Sequence, residues 1–325
     1  MNYKIAYLFI SITGSIALTQ PLFAAGCSPD GEFDPNKPEA SGYRKVFDDE
    51  FDSISSIDIN NNRTGNYNWY IQPFFGWRPM PSDDISVADG VLMLNGSSAV
   101  GYGIATAAPA DNEQGYVGHV FGGGAYFEAR IAYDPETVDY KNGWPSFWAM
   151  AVEHMAQKKA DQWPGQLTGY EHFIEDDFFE YDTSFAGIST FGGAIHDWYG
   201  VYKVTCPSGF CKVSNDGTSL FNNFVNKLQN TEAIDWTQFH TIGQLWVAGN
   251  NDNGNIGYIQ TYFDAVATND RVTWVDQGDG APPPSGVFAF SIMDKQHLVV
   301  ILGTGKNQPM KIDRVRVWQI PECAK

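Results

Sequence analysis

The chain has 325 residues, enough for one large domain or two small ones, and its 38 acidic against 20 basic side chains give a formal net charge of −18. That balance excludes a nucleic-acid partner, which needs Lys and Arg to displace counterions from phosphates, and it disfavours a heavily sulfated polymer through long-range repulsion. With 10 Trp, 16 Tyr and 22 Phe, the chain also carries too much apolar surface to remain unfolded in water.

In chain order, Met1–Lys4 holds one positive side chain, and Ile5–Ala24 is mostly apolar and ends at the small pair Ala24-Ala25. Residues 1–25 read as a secretory signal peptide, which leaves a single domain over 26–325 in a secreted or periplasmic chain. No later stretch reaches the length of a membrane span, so the mature chain is expected to have no transmembrane segment. In an oxidising compartment Cys206 and Cys211 close a short loop, and Cys27 pairs with Cys323 if the termini meet. The alternative for Cys27 is a lipid anchor, with Ala24-Ala25-Gly26-Cys27 as the processing site.

Beyond the signal, Gly, Asn, Asp and Pro break the chain into short runs rich in β-branched and aromatic residues. Trp69–Trp77, followed by Arg78, reads as a loop-edged strand whose aromatic rings could wall a binding cleft. Val91–Leu94 is continuously apolar, which suits a strand buried on both faces. Phe127–Tyr133 and Arg314–Val317 alternate with period two, the mark of one buried face. Trp144 and Trp148 share a face by parity, where their indoles suit either stacking on sugar rings or core packing. Further strands are expected at 257–264, 286–291 and 311–318, with Pro282–Pro284 in a loop. Helical periodicity is scarce, and Asn223–Leu228 is the best short candidate. Many short strands separated by Gly-rich turns predict an all-β sandwich or jelly roll.

Chemistry concentrates in Tyr170–Asp182, which holds six carboxylates. In a plain strand Glu171, Glu175 and Asp177 project to one face, and Glu180 falls on the other. A β-bulge at Phe178–Phe179 would return Glu180 to the face of Glu175 and Asp177. Crowded acids raise one another's pKa values, so one stays protonated while its neighbour is ionised. Glycosidic bond cleavage uses such a pair, a nucleophile or base and a protonated acid. A calcium cage would draw its acids from loops with carbonyl help, and a solvated edge strand would not interleave Phe173, Ile174, Phe178, Phe179 and Tyr181.

Glu175-Asp-Asp177-Phe-Phe-Glu180 resembles the bulged Glu-x-Asp-x-x-Glu signature of glycoside hydrolase family 16, in its laminarinase-like form. Val46–Asp52, Gly124–Arg130, Gly143–Trp148, Phe239–Trp246, Tyr258–Asp264 and Ile312–Gln319 resemble other strands of that family, in its order, over residues 43–319. The resemblance implies a concanavalin A-like β-jelly roll of two curved antiparallel sheets and hydrolysis with retention of configuration. It implies Glu175 as nucleophile, Glu180 as general acid/base, and Asp177 as a hydrogen-bonding neighbour that tunes the nucleophile. It further implies a sugar- or acid-contacting role for His196, and a structural Ca²⁺ held by Asp313 with Asp48 or Glu50 nearby. No cofactor is expected for catalysis. Asp176 departs from the pattern, since the family has an apolar residue there; it calls for a partner such as His172, or for a different bulge.

The expected activity is that of a secreted, monomeric, retaining endo-glycosidase acting on a β-1,3 or mixed β-1,3/1,4-glucan. The insertion Glu153–Gly169, just before the acidic strand, could adapt the cleft to another polysaccharide. A galactan- or exopolysaccharide-specific hydrolase, a transglycosylase and a non-catalytic lectin are the rival readings.

Overall fold

The computed structural model describes residues 28–324 except 30, 73–78, 96–102, 111–114, 138–142, 156–166, 182–189, 214–223, 228–233, 251–252, 269–270, 276–289 and 306–308. Eleven strands make up most of the two large sheets. They are β1 (Arg44–Asp49), β2 (Ile85–Ala88), β3 (Val91–Leu94), β4 (Ala125–Tyr133), β5 (Gly143–Ala151), β6 (Tyr170–Glu180), β7 (Thr190–Val201), β8 (His240–Val247), β9 (Ile256–Phe263), β10 (His297–Gly305) and β11 (Met310–Gln319).

Two sheets dominate. The first runs β9-β8-β4-β11-β3-β2, with β1 also paired to β11; the second runs β7-β6-β5-β10 and continues through the short strands Ile104–Ala105, Trp69–Tyr70 and Ile57–Asp58. Pairing is antiparallel throughout the long strands, and the two-residue contact between Ile57–Asp58 and Trp69–Tyr70 is parallel. Sequence neighbours β4 and β5 lie in different sheets, as do β10 and β11, so the chain crosses repeatedly between layers. This is an all-β jelly-roll sandwich, with one four-residue α-helix, Val152–Met155, among the described residues.

Alternation explains how the layers meet. Phe127, Ala129, Ile131 and Tyr133 of β4 enter the core between the sheets, alongside Val315 and Val317 of β11 and Phe147, Ile174 and Phe178 of the second sheet. The outward side of β4 is covered too: Tyr126 packs with Phe33, Tyr43 and Trp318 in a smaller cluster, so β4 is buried well beyond the single face its alternation predicts. β3 shows the opposite deviation. Leu92 and Leu94 are buried but Val91 and Met93 are only half-buried, because β3 lies toward the edge of its sheet beside β2.

The helix expected at Asn223–Leu228 is not formed. Phe224–Lys227 is a strand paired to Thr190–Gly193 of β7, where hydrogen bonding to an existing sheet edge outweighs the weak helical preference of an isolated segment. The strand expected at 286–291 falls mostly outside the described residues, as does Pro282–Pro284; Phe290–Lys295 is a 3₁₀ helix. Cys206 and Cys211 form the expected disulfide. Cys323 is also disulfide-bonded, and Cys27 lies outside the described residues, as do residues 1–25 of the expected signal peptide. No helix among the described residues is long and apolar enough to cross a membrane.

Candidate active site

β6 lies between β5 and β7, so its side chains are held on two flanks. Glu175 stands opposite Met150 and His196, and Asp177 opposite Trp148 and Ala194. Beyond Asp177 the register shifts: Phe147 and Trp148 are adjacent on β5, yet they face Phe179 and Asp177. Phe178 is the extra residue of a β-bulge, at the expected place. Both Phe178 and Phe179 are fully buried in the inter-sheet core, where Phe178 stacks on Phe127 at 4.9 Å and meets Phe147 edge-on at 4.9 Å. Since two consecutive residues turn inward, Glu180 returns to the outer face. Gly193 makes room for this kink, because a Cβ there would come 2.7 Å from the carbonyl oxygen of Asp177.

Each end of the acidic row is held by an indole. The Trp144 Nε1–H donates to Glu180 Oε1 at 2.8 Å, and the Trp198 Nε1–H donates to Glu175 Oε2 at 2.6 Å. Asp177 lies between them, its Oδ2 without a hydrogen-bond partner among the described residues and 3.2 Å from His196 Nε2. Asp177 and Glu175 are coupled through charge. Burial first, and then the charge of Asp177, push the Glu175 carboxyl up to about 7, while His196, Lys212 and the Trp198 bond draw it back. Burial and the charge of Asp176 raise Asp177 as well. His196 moves the other way: burial lowers it to about 4, so it is neutral where the acids titrate. Glu175 and Asp177, both raised and facing the same side, can therefore share one proton near neutral pH.

Behind the row, Asp176 points into the core and is completely buried. Its partner is not His172. The Gln244 amide, from β8 of the opposite sheet, donates to Asp176 Oδ2 at 2.6 Å, and the Thr261 hydroxyl of β9 donates to Gln244 Oε1 at 3.3 Å. His172 pairs instead with Asp197 at 2.5 Å, one strand across within its own sheet. Asp176 is therefore accommodated by a polar link across the sandwich, and the bulge stays in the expected register.

The remaining expected residues divide. Trp144 and His196 are at the row. Trp148 faces the same way, but with 3% of its surface exposed it packs against Met150, Phe173, Val299 and Ile301. It forms the floor beside the acids and offers no open ring for stacking. Trp77 and Arg78 lie outside the described residues, as does 156–166 of the insertion.

The calcium expectation does not fit the side chains. Asp313 accepts from Arg130 at 2.9 Å and from Arg314 at 3.3 Å, and Asp48 and Glu50 both pair with Arg316. Guanidinium groups already occupy these oxygens and repel a second cation, and no cluster of three or more metal-ligating side chains occurs among the described residues.

Three residues of the site escaped the sequence reading. Trp198 shares the face of His196 by simple parity, a signal that was available. Lys212 and Gln244 arrive from other strands, Lys212 from Cys211–Val213 beside β7, and no local pattern marks either. Beyond Trp198, Phe173 and the ring of His154 continue a stack along the same face, with His154 3.8 Å from Phe173 and hydrogen-bonded to Glu171 at 2.7 Å.

No protein-family model matches the chain, and no curated protein sequence does. Solved structures do. An endo-1,3-β-glucanase from Streptomyces sioyaensis is similar at 18% identity, over 86% of this chain and 96% of that one, with a TM-score of 0.49. LamA of Zobellia galactanivorans, solved with laminaritriose and laminaritetraose, is similar at 13% identity over 85% of this chain and 98% of that one, TM-score 0.43. An alginate lyase from a Chlorella virus is similar at 12% identity over 81% and 97%, TM-score 0.36. What this chain does rests on its own side chains.

Proposed function

We propose that the chain is a secreted retaining endo-glycosidase that hydrolyses a β-linked polysaccharide, with a β-1,3 or mixed β-1,3/1,4-glucan as the substrate. The observation that carries this reading is the row Glu175, Asp177 and Glu180, gathered on one face by the Phe178 bulge and held at both ends by indole N–H groups.

In this reading Glu180 protonates the glycosidic oxygen as Glu175 attacks the anomeric carbon, the leaving sugar departs as an alcohol, and a glycosyl ester forms on Glu175. Glu180, now ionised, removes a proton from water, which attacks the same carbon and releases Glu175 as a carboxylate with retained configuration. Asp177, raised by burial, keeps negative charge beside Glu175 low until the ester forms. The Trp198 N–H stabilises the ionised nucleophile, and Trp144 orients the acid and presents its partly exposed ring to the sugar. These steps require no metal or cofactor.

Release of reducing ends from laminarin, lichenan, xyloglucan, agarose and carrageenan tests the proposal. The native chain is expected to cleave laminarin or lichenan and to give the β-anomer first by proton NMR. Glu175→Gln should lower the rate by about three orders of magnitude or more. Equal release by native chain and variant would overturn the assignment. An inert native chain that one polymer retards in an affinity gel would establish the lectin reading instead.

A further inference from the structure

Lys212 stands inside the site, and the proposed chemistry makes no use of it. It lies directly opposite Trp198 in the pairing of Cys211–Val213 with β7. Its ammonium sits 5.0 Å from the centre of the Trp198 ring, and Nζ is 3.4 Å from His196 Nε2. A lysine on a short edge strand would ordinarily keep most of its side-chain freedom. Here two constraints fix its backbone. The Cys206–Cys211 disulfide ties down the preceding residue, and Phe210 packs edge-on against Phe173 at 5.3 Å and His154 at 5.7 Å.

Charged and polar groups reach Glu175 from its own strand and from both flanks. On β6 itself, Asp177 shares its face and Asp176 lies behind it. On β7 stand His196 and the indole of Trp198; on β5 the facing residue is the uncharged Met150. From the edge strand comes Lys212, which acts by charge on Glu175, Asp177 and His196 alike. Among the described residues of this set, Lys212 is the one lysine or arginine.

We propose that Lys212 is a positioning residue of this site: its ammonium, 5.0 Å from the centre of the Trp198 ring and 3.4 Å from His196 Nε2, clamps both groups beside Glu175 and sets a cation next to the acidic row. The disulfide-closed loop is what delivers it. The kinetic consequence rests on the glycosidase reading; the electrostatic one does not.

The test is a ¹³C NMR titration of protein labelled at Glu side-chain carboxyls, with the Glu175 resonance assigned by its loss in Glu175→Gln. Removing a nearby cation favours the neutral acid, so Lys212→Met should move the Glu175 midpoint upward by about half a unit to one unit, a modest shift because Lys212 is solvent-exposed. Lys212→Arg should leave it in place, and Lys212→Gln repeats the measurement with a polar side chain. In the active enzyme the acid limb of kcat/KM should rise by the same amount. A Glu175 midpoint that is unchanged in both Lys212→Met and Lys212→Gln overturns the proposal even if the enzyme is active. A shifted midpoint in a chain that cleaves nothing supports Lys212 and removes the glycosidase reading.

Discussion

Asp176 shows how one residue can oppose the stability of the fold that holds it. It is enclosed between the sheets, where Gln244 is its one hydrogen-bond donor among the described residues, and burial pushes its carboxyl up to about 7. Between the ordinary carboxylate range near 4 and about 7, the folded chain retains a proton that the unfolded chain has released. The contribution of Asp176 to stability is therefore greatest at low pH and is lost as pH rises through that window. Glu175 and Asp177 carry the same sign, but their raised values serve the proposed chemistry, whereas Asp176 faces away from it. Asn at this position keeps an oxygen for Gln244 and abolishes the charge. Asp176→Asn is expected to be more stable than the native chain at pH 8 by about 1–3 kcal/mol, with little difference at pH 4. Urea unfolding at the two values checks it, and an equal gain at both would show that charge is not the cause.

At the scale of the element, the bulge in β6 converts an adverse spacing into a usable one. If Phe178 were paired in regular register instead of bulged, Glu180 would enter the core and Phe179 would face out, because a one-residue slip reverses every side chain beyond it. The core holds the bulge in place through the contacts of Phe178 with Phe127 and Phe147, and β7 admits it only at Gly193. Gly193→Ala is expected to force β7 away from the kink and to lower activity at least about tenfold, with a stability loss of about 1–3 kcal/mol from overpacking. Activity on the polymer cleaved by the native chain, together with thermal unfolding, measures both effects; a variant of native activity would show that the strands can part there at no cost to the site. The bulge was legible in the sequence because three acids fitted one face only if a residue were inserted. The strand at Phe224–Lys227 was not legible, since its conformation depends on the free edge of β7, which no local pattern discloses.

Across the whole molecule, the acidic and aromatic excesses prove to be connected. Among the described residues six indoles donate to carboxylates: Trp69 to Asp49, Trp144 to Glu180, Trp198 to Glu175, Trp246 and Trp274 to Asp294, and Trp318 to Glu39. Asp294, buried, accepts from two indoles and the amide of Gly249 at once. Such bonds satisfy a buried acid without spending a cation, so a chain with few Lys and Arg can still enclose many carboxylates. Three arginines are gathered on the first sheet, where Arg130, Arg314 and Arg316 bind Asp313, Glu128, Asp48 and Glu50. Since guanidinium groups fill the place where calcium was expected, thermal unfolding should differ by less than about 1 °C between excess EDTA and millimolar Ca²⁺. A rise of several degrees with Ca²⁺ would show that a cation displaces the arginines.

Sequence alone determined the β class, the segment that carries the acidic row, the position of the bulge and the Cys206–Cys211 bridge, because each depends on residues close together in the chain. Period-two alternation, the parity of three carboxylates and a five-residue cysteine spacing are all short-range signals. The tertiary structure decided which groups surround those acids: Gln244 in place of His172 behind Asp176, Trp198 against Glu175, Lys212 above Trp198, and arginine where a metal was expected. Each of these contacts joins strands that are distant in the chain, and only the order in which the sheets assemble brings them together. The acid excess with which the chain first distinguishes itself is thus visible from composition, but its division between an outward-facing row and indole-capped core carboxylates is a property of the sandwich.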